Sequence, residues 1–402
     1  MTTPGFADRL ARVPVAATTA MTVRARELRA QGHSVIALTI GEPNFDTEPH
    51  AIEAAHQAAL RGETKYPAQD GIPPLKLAIQ KKFKREHGLD YALDEIAVSG
   101  GGKQAIFNAL MATVNDGDEV VIPAPYWGAY PLMTKLVGGV PVVVNCPENN
   151  GFRLRPEDLE AAITPKTKWL MLNFPNNPTG AVCTPEDLRK IADVMLRHPH
   201  VWIMSDDMYE HLMYADFQYT TLCAVEPKLR DRTVIISGVS KTYAMTGWRI
   251  GFAAGPQPLI KAMVNMQGQV TAGASSVGQA AAVAALEGPQ EGVAQRKAIY
   301  QARRDRVVAA LNAMPGITCH KPEGAFYVYP NIAGCLGRTT ANGTKIETDS
   351  DFALACLEEA HVALVSGKAF GMSPYLRISY ATKDDDLDEA MRRMAAFVGG
   401  LK

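Results

Sequence analysis

Lys241 stands in the stretch ISGVSKTYAMTGWRIG (236–251), five residues beyond the end of an apolar run, Thr233–Ile236, that reads as a buried strand. An ammonium set among small residues at a strand end, in a partly desolvated pocket, loses its proton readily and becomes a nucleophilic amine that can condense with an aldehyde. Eight residues on, Arg249 offers a bidentate guanidinium suited to a phosphate. A second anion seat is written in SGGGKQA (99–105), where a glycine turn follows one apolar run and opens a helix. The free backbone N–H groups and positive dipole end of such a turn attract phosphate.

Two familiar readings of that turn fail. A P-loop needs GxxxxGK[ST], and here Gln104 follows Lys103. Gly100, Gly102 and Ala105 match GxGxx[GA], but a dinucleotide site also wants an acid at the end of the next strand, which reads Ile122-Pro123-Ala124-Pro125. An acid does close another run: Asp206 in SDDMYEH, with Tyr209 three residues later. Asn177 opens NPTG, a turn former, and Trp127 closes PYW. Taken singly, each is ordinary punctuation or core. Together, a phosphate seat, an aldehyde-trapping lysine, a carboxylate and a flat aromatic describe a pyridoxal phosphate site, the carboxylate keeping a pyridine nitrogen protonated and the indole stacking on the ring. His198 and His200 with Asp206 do not make a metal site, because an HxH before a strand lacks a helix-spaced third ligand.

These residues sit where apolar runs stop. From about residue 95 to 255, EIAVSG, EVVIPA, VPVVVN, KWLMLNF, VWIMSD, TVIISG and RIGFAAG alternate with helical patterns that start at Lys103 and after Pro185. Continuous β-rich runs separated by helices predict a largely parallel sheet buried on both faces, in an α/β domain whose ligands lie beyond the carboxyl strand ends. After about residue 290 the pattern changes to a long charged helix around QRKAIYQARRDRVVAALNAM, then GAFYVYP, a polar loop near Thr339 to Asp349, and YLRISYA. This part reads as an α+β domain that the N-terminal segment joins, giving a large domain over 46–295 and a small one from 1–45 with 296–402.

The 402 residues are 47% hydrophobic and carry a net charge of −1, enough for two cores and no electrostatic case for nucleic acid or an anionic membrane. Six scattered cysteines without a CxxC pair read as buried thiols of a reducing, cytoplasmic setting. There is no secretory h-region and no long charge-free apolar stretch. Arg9, Arg12, Arg24 and Arg26 fit the polar face of an ordinary helix better than a transit peptide.

The ordered set GGGKQA, PYW, NFPNNPTG, SDDMY, SKTYAMTGWRIG and LRISYA resembles the class I aminotransferases of aspartate aminotransferase fold type I, in the bacterial branch of aspartate/prephenate aminotransferases, from about Arg9 to the last helix. That resemblance implies the pyridoxal-phosphate-dependent transferase fold, a large domain with a mostly parallel seven-stranded sheet and a smaller α+β domain. It implies Lys241 as the lysine that carries the cofactor and later shuttles the proton. Asp206 would pair with the pyridine nitrogen, Asn177 and Tyr209 with the 3′-oxygen, and Trp127 with the ring face. Backbone N–H groups of Gly102, Lys103 and Gln104, with Arg249, would hold the phosphate. Ser240 or Ser237 would serve there in place of the family's serine, which is Gly238 here. The family's Asp-Glu pair is Asp206-Asp207, a change expected to leave Asp206 unaffected. Tyr66 would reach the phosphate of a neighbouring subunit, which implies a homodimer with shared active sites. Arg377 would clamp the substrate α-carboxylate and Gly41 would lie against the substrate.

By the same likeness the activity is transfer of an amino group from an L-amino acid, aspartate foremost, to 2-oxoglutarate. No arginine occurs from 250 to 295, where the eukaryotic-type aspartate enzymes carry one for the distal carboxylate. In the bacterial branch Lys103, with Thr18, takes that role, and prephenate or aromatic substrates are alternatives. A lysine at a helix N-terminus is disfavoured unless an anion is near, which supports an anionic partner for Lys103. A pyridoxal-phosphate-dependent β-lyase would use the same lysine. A transcriptional sensor would need a DNA-binding segment that the roughly 40 residues before Gly41 do not spell.

Overall fold

The computed structural model describes residues 5–14, 17–214 and 217–402. Its strands in chain order are β1 (Ile36–Ala37), β2 (Ile96–Ser99), β3 (Glu119–Ala124), β4 (Val140–Asn145), β5 (Thr167–Asn173), β6 (Trp202–Asp206), β7 (Thr233–Gly238), β8 (Gly251–Ala254), β9 (Tyr327–Val328), β10 (Val362–Ala363), β11 (Val365–Ser366) and β12 (Leu376–Ser379). Seven of them form one sheet in the order β2-β8-β7-β6-β5-β3-β4. Pairings are parallel from β4 through β7, and only β8 runs against its neighbours.

Alternation along the strands explains the continuous apolar runs. Val121, Leu170, Leu172 and Ile203 pack against Leu188, Ile191 and Met195 of the helix Pro185–Arg197 on one face. Val120, Ile122, Met171, Met204 and Ile236 meet Ile106, Ala109 and Leu110 of the helix Gly102–Thr113 on the other. With period-two side chains and helices on both faces, no position in the strand centre is left for a polar residue. The helix Pro185–Arg197 starts where local chemistry says it should: Thr184 and Asp187 make a reciprocal capping box, and Pro185 takes the first helical position.

The reversal of β8 has a local cause. A parallel return from β7 needs a crossover helix, and the 239–250 connection contains only the short 3-10 turn Thr246–Trp248. The chain therefore doubles back beside β7, and the loop so formed carries both Lys241 and Arg249. Glycine eases this fold-back, because a Cβ at Gly238 would lie 3.0 Å from both the Gly251 Cα and the Ile250 carbonyl oxygen. A serine there would need β8 to give by a few tenths of an ångström.

A second layer gathers the chain ends. β11, β12 and β9 form an antiparallel sheet, and β1 pairs in parallel with β10, Ile36 opposite Val362. The Ser379 N–H donates to the Leu38 carbonyl at 3.0 Å, so the N-terminal segment is stitched to the strand that carries Arg377. The long helix Glu291–Asn312 backs this layer through Tyr300, Val307 and Leu311. Among the described residues, no helix is long and apolar enough to cross a membrane.

Candidate active site

A cavity of about 510 Å³ opens over the carboxyl ends of β2, β3, β5, β6 and β7, where open α/β sheets place their ligands. The large sheet and its loops contribute Gly102, Lys103, Trp127, Asn177, Asp206, Tyr209, Ser240, Lys241 and Arg249 to its wall. Gly41, just beyond β1, and Arg377 of β12 close it from the second layer. Register explains much of this convergence, since Asn173 at the end of β5 lies beside Asp206 at the end of β6, and Asp206 beside Ile236 of β7.

Asp206 is buried on the cavity floor. Its carboxylate accepts a 2.5 Å hydrogen bond from the Tyr130 hydroxyl and a 3.3 Å bond from the Met208 N–H. Burial pushes this acid up to about 6, against the Tyr130 and Met208 bonds and the Lys241 charge that favour its ionised form. Lys241 is brought down to about 8 by burial in the first place. Glu42 and Asp206 oppose that fall, while Arg377 and Arg249 add to it. Its amine donates to the Gly41 carbonyl at 2.5 Å. The opening expectation of a readily deprotonated lysine thus has a physical cause in the fold.

The anion seat is tighter than the sequence suggests. Gly101 turns at φ +96°, and a Cβ there would collide with the Arg249 guanidinium, so only glycine lets the arginine lie on the turn. Arg249 itself sits at φ +58°, a costly backbone state for a non-glycine residue, and its guanidinium donates to the Thr246 carbonyl at 2.7 Å and the Gly100 carbonyl at 3.2 Å. Gly102 and Lys103, the first helical residues, have N–H groups that precede any intrahelical acceptor. The Gln104 N–H is different: it turns back to the Gly101 carbonyl at 3.0 Å, and the Gln104 side chain accepts from the Gly100 N–H and donates to Thr271. Gln104 lines a neighbouring cavity of about 1220 Å³ rather than this one. Among the described residues, the Gly102 and Lys103 N–H groups thus remain for an anion, while the Gln104 N–H is taken up in the tight bend of the glycine turn. Ser240 lines the cavity, whereas Ser237 donates to Glu210 at 2.6 Å and faces away.

At the other end, Arg377 is buried and spread between partners. It donates to the Asn177 side-chain oxygen at 3.2 Å and to the Thr39 carbonyl, and its Nε has no partner among the described residues. Its guanidinium carbon lies 4.9 Å from the ring centres of both Tyr327 and Phe370, a cation held between two π faces. The Tyr209 and Tyr327 hydroxyls bond at 2.8 Å, and the Asn177 N–H donates to the Asn173 side chain at 2.9 Å. Lys103 stands over the Trp127 ring at 4.9 Å, lowered from its ordinary range by burial and then by Arg249.

Tyr66, expected to serve a neighbouring subunit, and the two histidines His198 and His200 do not line this cavity. Tyr66 is 96% exposed. The Thr18 side chain lies outside the described residues, although Thr22, Val23 and Arg26 of the same helix reach the cavity mouth. His198 pairs with Glu160 at 2.8 Å and His200 with the Thr164 carbonyl at 3.1 Å, both away from Asp206. Conversely, Tyr130, Tyr327 and Phe370 were not singled out by sequence reading. Tyr130 lies three residues after Trp127, in the first turn of the helix Ala129–Leu136, and the two rings meet edge to face at 5.4 Å.

The residues present fit pyridoxal phosphate: an anion seat with unused donors, a depressed lysine, a buried carboxylate and a guanidinium with an unused N–H converge on one cavity. The family model of the aminotransferases of class I and II matches residues 33–394. The aspartate/prephenate aminotransferase of Cereibacter sphaeroides is 56% identical over 98% of this chain and 99% of its own. The aspartate aminotransferase of Rhizobium meliloti strain 1021 is 52% identical over 97% and 95%. Among solved structures, the aspartate aminotransferase from Rhizobium meliloti superimposes with a TM-score of 0.97 at 50% identity over the whole of both chains. That of Thermus thermophilus with maleate gives 0.91 at 39% identity, over 98% of this chain and 100% of its own.

Proposed function

The chain belongs to the class I and II aminotransferases, and from that premise we propose that it moves the amino group of aspartate to 2-oxoglutarate on pyridoxal phosphate, with prephenate as a further acceptor. The observation that carries the reading is the two-ended cavity, with buried Arg377 at one end and Lys103 beside the anion seat at the other. A dicarboxylic substrate needs a cation at each end, and the names of the relatives, aspartate and prephenate, together with maleate in the Thermus complex, are all dicarboxylates.

When bound, pyridoxal phosphate supplies an aldehyde that captures amines and a ring that takes up the electron pair left at the substrate α-carbon. The chain's own residues do the rest. Arg249, Ser240 and the Gly102 and Lys103 N–H groups hold the phosphate dianion. Asp206, kept ionised by Tyr130, holds a proton on the ring nitrogen. Asn177 and Tyr209 donate hydrogen bonds to the 3′-oxygen, and Trp127 covers one face. Arg377 grips the α-carboxylate with its paired N–H groups, for which the rigid fork of arginine is better than lysine. Lys241, brought down to about 8 by burial, has a usable neutral fraction near physiological pH and would take the proton from the substrate α-carbon. The net exchange would be one amino group for one oxo group, so a second 2-oxo acid bound by the same residues would take up the amino group that the first substrate gives.

The large unit is proposed to span 46–295 and the small one 1–45 with 296–402, in keeping with the seven-stranded sheet on one side and the two small sheets on the other. A homodimer with shared sites is supported by the exposure of Tyr66, Leu60 and Val270 and by the open apolar cavity beside the anion seat. The test of the substrate reading is steady-state kinetics of Lys103→Ala: kcat/KM for aspartate falls about 10- to 100-fold, the worth of one charged hydrogen bond, while that for an apolar amino acid changes far less. An equal fall for both removes the distal-carboxylate role.

A further inference from the structure

Behind the cavity floor lies a buried group of charges that the chemistry above does not use. Glu210 is the residue after Tyr209 and the fourth after Asp206, and its side chain is 3% exposed. One carboxylate oxygen accepts the Ser237 hydroxyl at 2.6 Å. The other accepts the Lys82 ammonium at 2.6 Å and lies 2.7 Å from His87 Nε2, which is itself 3.1 Å from the Lys82 ammonium, both groups almost wholly buried on the helix Pro73–His87. Ser237 belongs to the end of β7, four residues before Lys241. One carboxylate thus bonds to the turn that carries Lys241 while its own backbone belongs to the turn that carries Asp206 and Tyr209.

A second link runs in parallel. His211 contacts the Thr242 hydroxyl at 3.1 Å through Nδ1 and Glu86 at 3.0 Å through Nε2, and Glu86 lies 3.2 Å from Lys82. Thr242 follows Lys241 directly, and its carbonyl also accepts from Arg296 at 3.1 Å. Helix, first turn and second turn are closed into a ring of charged and polar bonds. Glu86, Glu210 and His211 bring their ligand atoms within 4.8 Å of one another, the spacing of a metal cluster, but the Lys82 ammonium bonds to both carboxylates and fills the position a cation would take.

We propose that Glu210, through Ser237 and with the Lys82 ammonium as its counter-charge, is a positioning residue that fixes the distance between Lys241 and Asp206. Apolar groups of like volume would hold these elements together as firmly, since desolvating an ion pair offsets much of its attraction. What they would not supply is direction. A carboxylate bonded to Ser237 and Lys82 and in contact with His87 admits one mutual placement of two turns, whereas methyl groups admit many, and proton transfer tolerates misplacement of about 1 Å only with losses near a hundredfold. Burial by itself would raise Glu210, but Lys82, His87 and His211 outweigh it and hold the acid well below its ordinary range. The ring stays charged although Asp207 and Tyr219 also face it; Asp207 is itself pushed up to about 6 by burial and then by Glu210.

The inference rests on the cofactor reading above and is tested on holoenzyme. In Glu210→Gln, kcat for aspartate is expected to fall about 10- to 100-fold with KM within about twofold, because Arg377 and Lys103 are untouched. The pH at which the bound cofactor's visible absorbance titrates should shift, since Lys241 and Asp206 no longer hold their spacing. Lys82→Met/Glu210→Gln removes both buried charges together, so urea stability should recover towards wild type while kcat stays low. Ser237→Ala, which leaves every charge paired, should lower kcat by about 3- to 10-fold, the lower range for one neutral hydrogen bond. Wild-type kcat and titration in Glu210→Gln, or recovery of kcat with stability in the double variant, would overturn the positioning role. Wild-type protein without a cofactor absorbance would overturn the cofactor reading instead.

Discussion

Replacing Asp206 by asparagine should make the cofactor-free protein more stable while nearly abolishing turnover. The buried carboxyl titrates at about 6 against an ordinary 3.8. Folding therefore favours its protonated form. Below pH 3.8 the acid is neutral in both states and has no effect; as pH rises from 3.8 to 6 the unfolded chain ionises freely while the folded one resists, and stability is lost. Above pH 6 the loss is complete, at about 3 kcal/mol from 1.36 kcal/mol per pH unit. Asparagine has no such dependence, and Asp207, which titrates in the same window, is common to both proteins and cancels. Urea unfolding of the cofactor-free Asp206→Asn and wild-type proteins should thus show a gap that widens by about 1.4 kcal/mol between pH 5 and 7.5. Its slope with pH is the diagnostic, because any new contact of the amide adds a constant. Loaded with cofactor, the variant should lose about 100-fold or more in kcat, as when one preorganised charge is removed from a site. A gap that stays flat across this range would refute the claim that the site stores its electrostatic function as folding strain.

Tyr130→Phe deletes the hydroxyl bonded to Asp206, worth about 1.5–3 kcal/mol to a buried charge; kcat should fall about tenfold or more, and the cofactor dissociation constant, read by fluorescence, should rise. Arg377→Lys exchanges a fork held between Tyr327 and Phe370 for a point charge, so KM for aspartate and for 2-oxoglutarate should both rise, by about 10-fold or more, with kcat less affected. Uptake of pyridoxal phosphate by the cofactor-free protein requires a neutral Lys241, which burial holds at about 8. Stopped-flow absorbance should show the rate rising with pH to a midpoint near that value, not near 10.5, and a pH-independent rate between 6 and 9 would contradict the assignment.

Much of this site was legible in the linear chain because its parts are governed by local rules. A glycine turn between strand and helix, an acid at the end of an apolar run, and a lysine among small residues each follow from backbone freedom, period-two burial and desolvation. The likeness of the ordered motifs then fixed the family and the sheet. What the chain could not state was which distant groups meet. Tyr130 lies 76 residues from Asp206, Tyr327 lies 118 from Tyr209, and Lys82 lies 128 from Glu210. These pairs exist because strand register sets Asn173, Asp206 and Ile236 side by side, and helices then drop their side chains over that edge. Register, crossover and the fold-back at Gly238 are properties of the assembled sheet. They decided that Ser237 turns to Glu210 and that the Gln104 N–H bends back on the glycine turn, since a hydrogen-bond donor commits only when packing has brought an acceptor within about 3 Å.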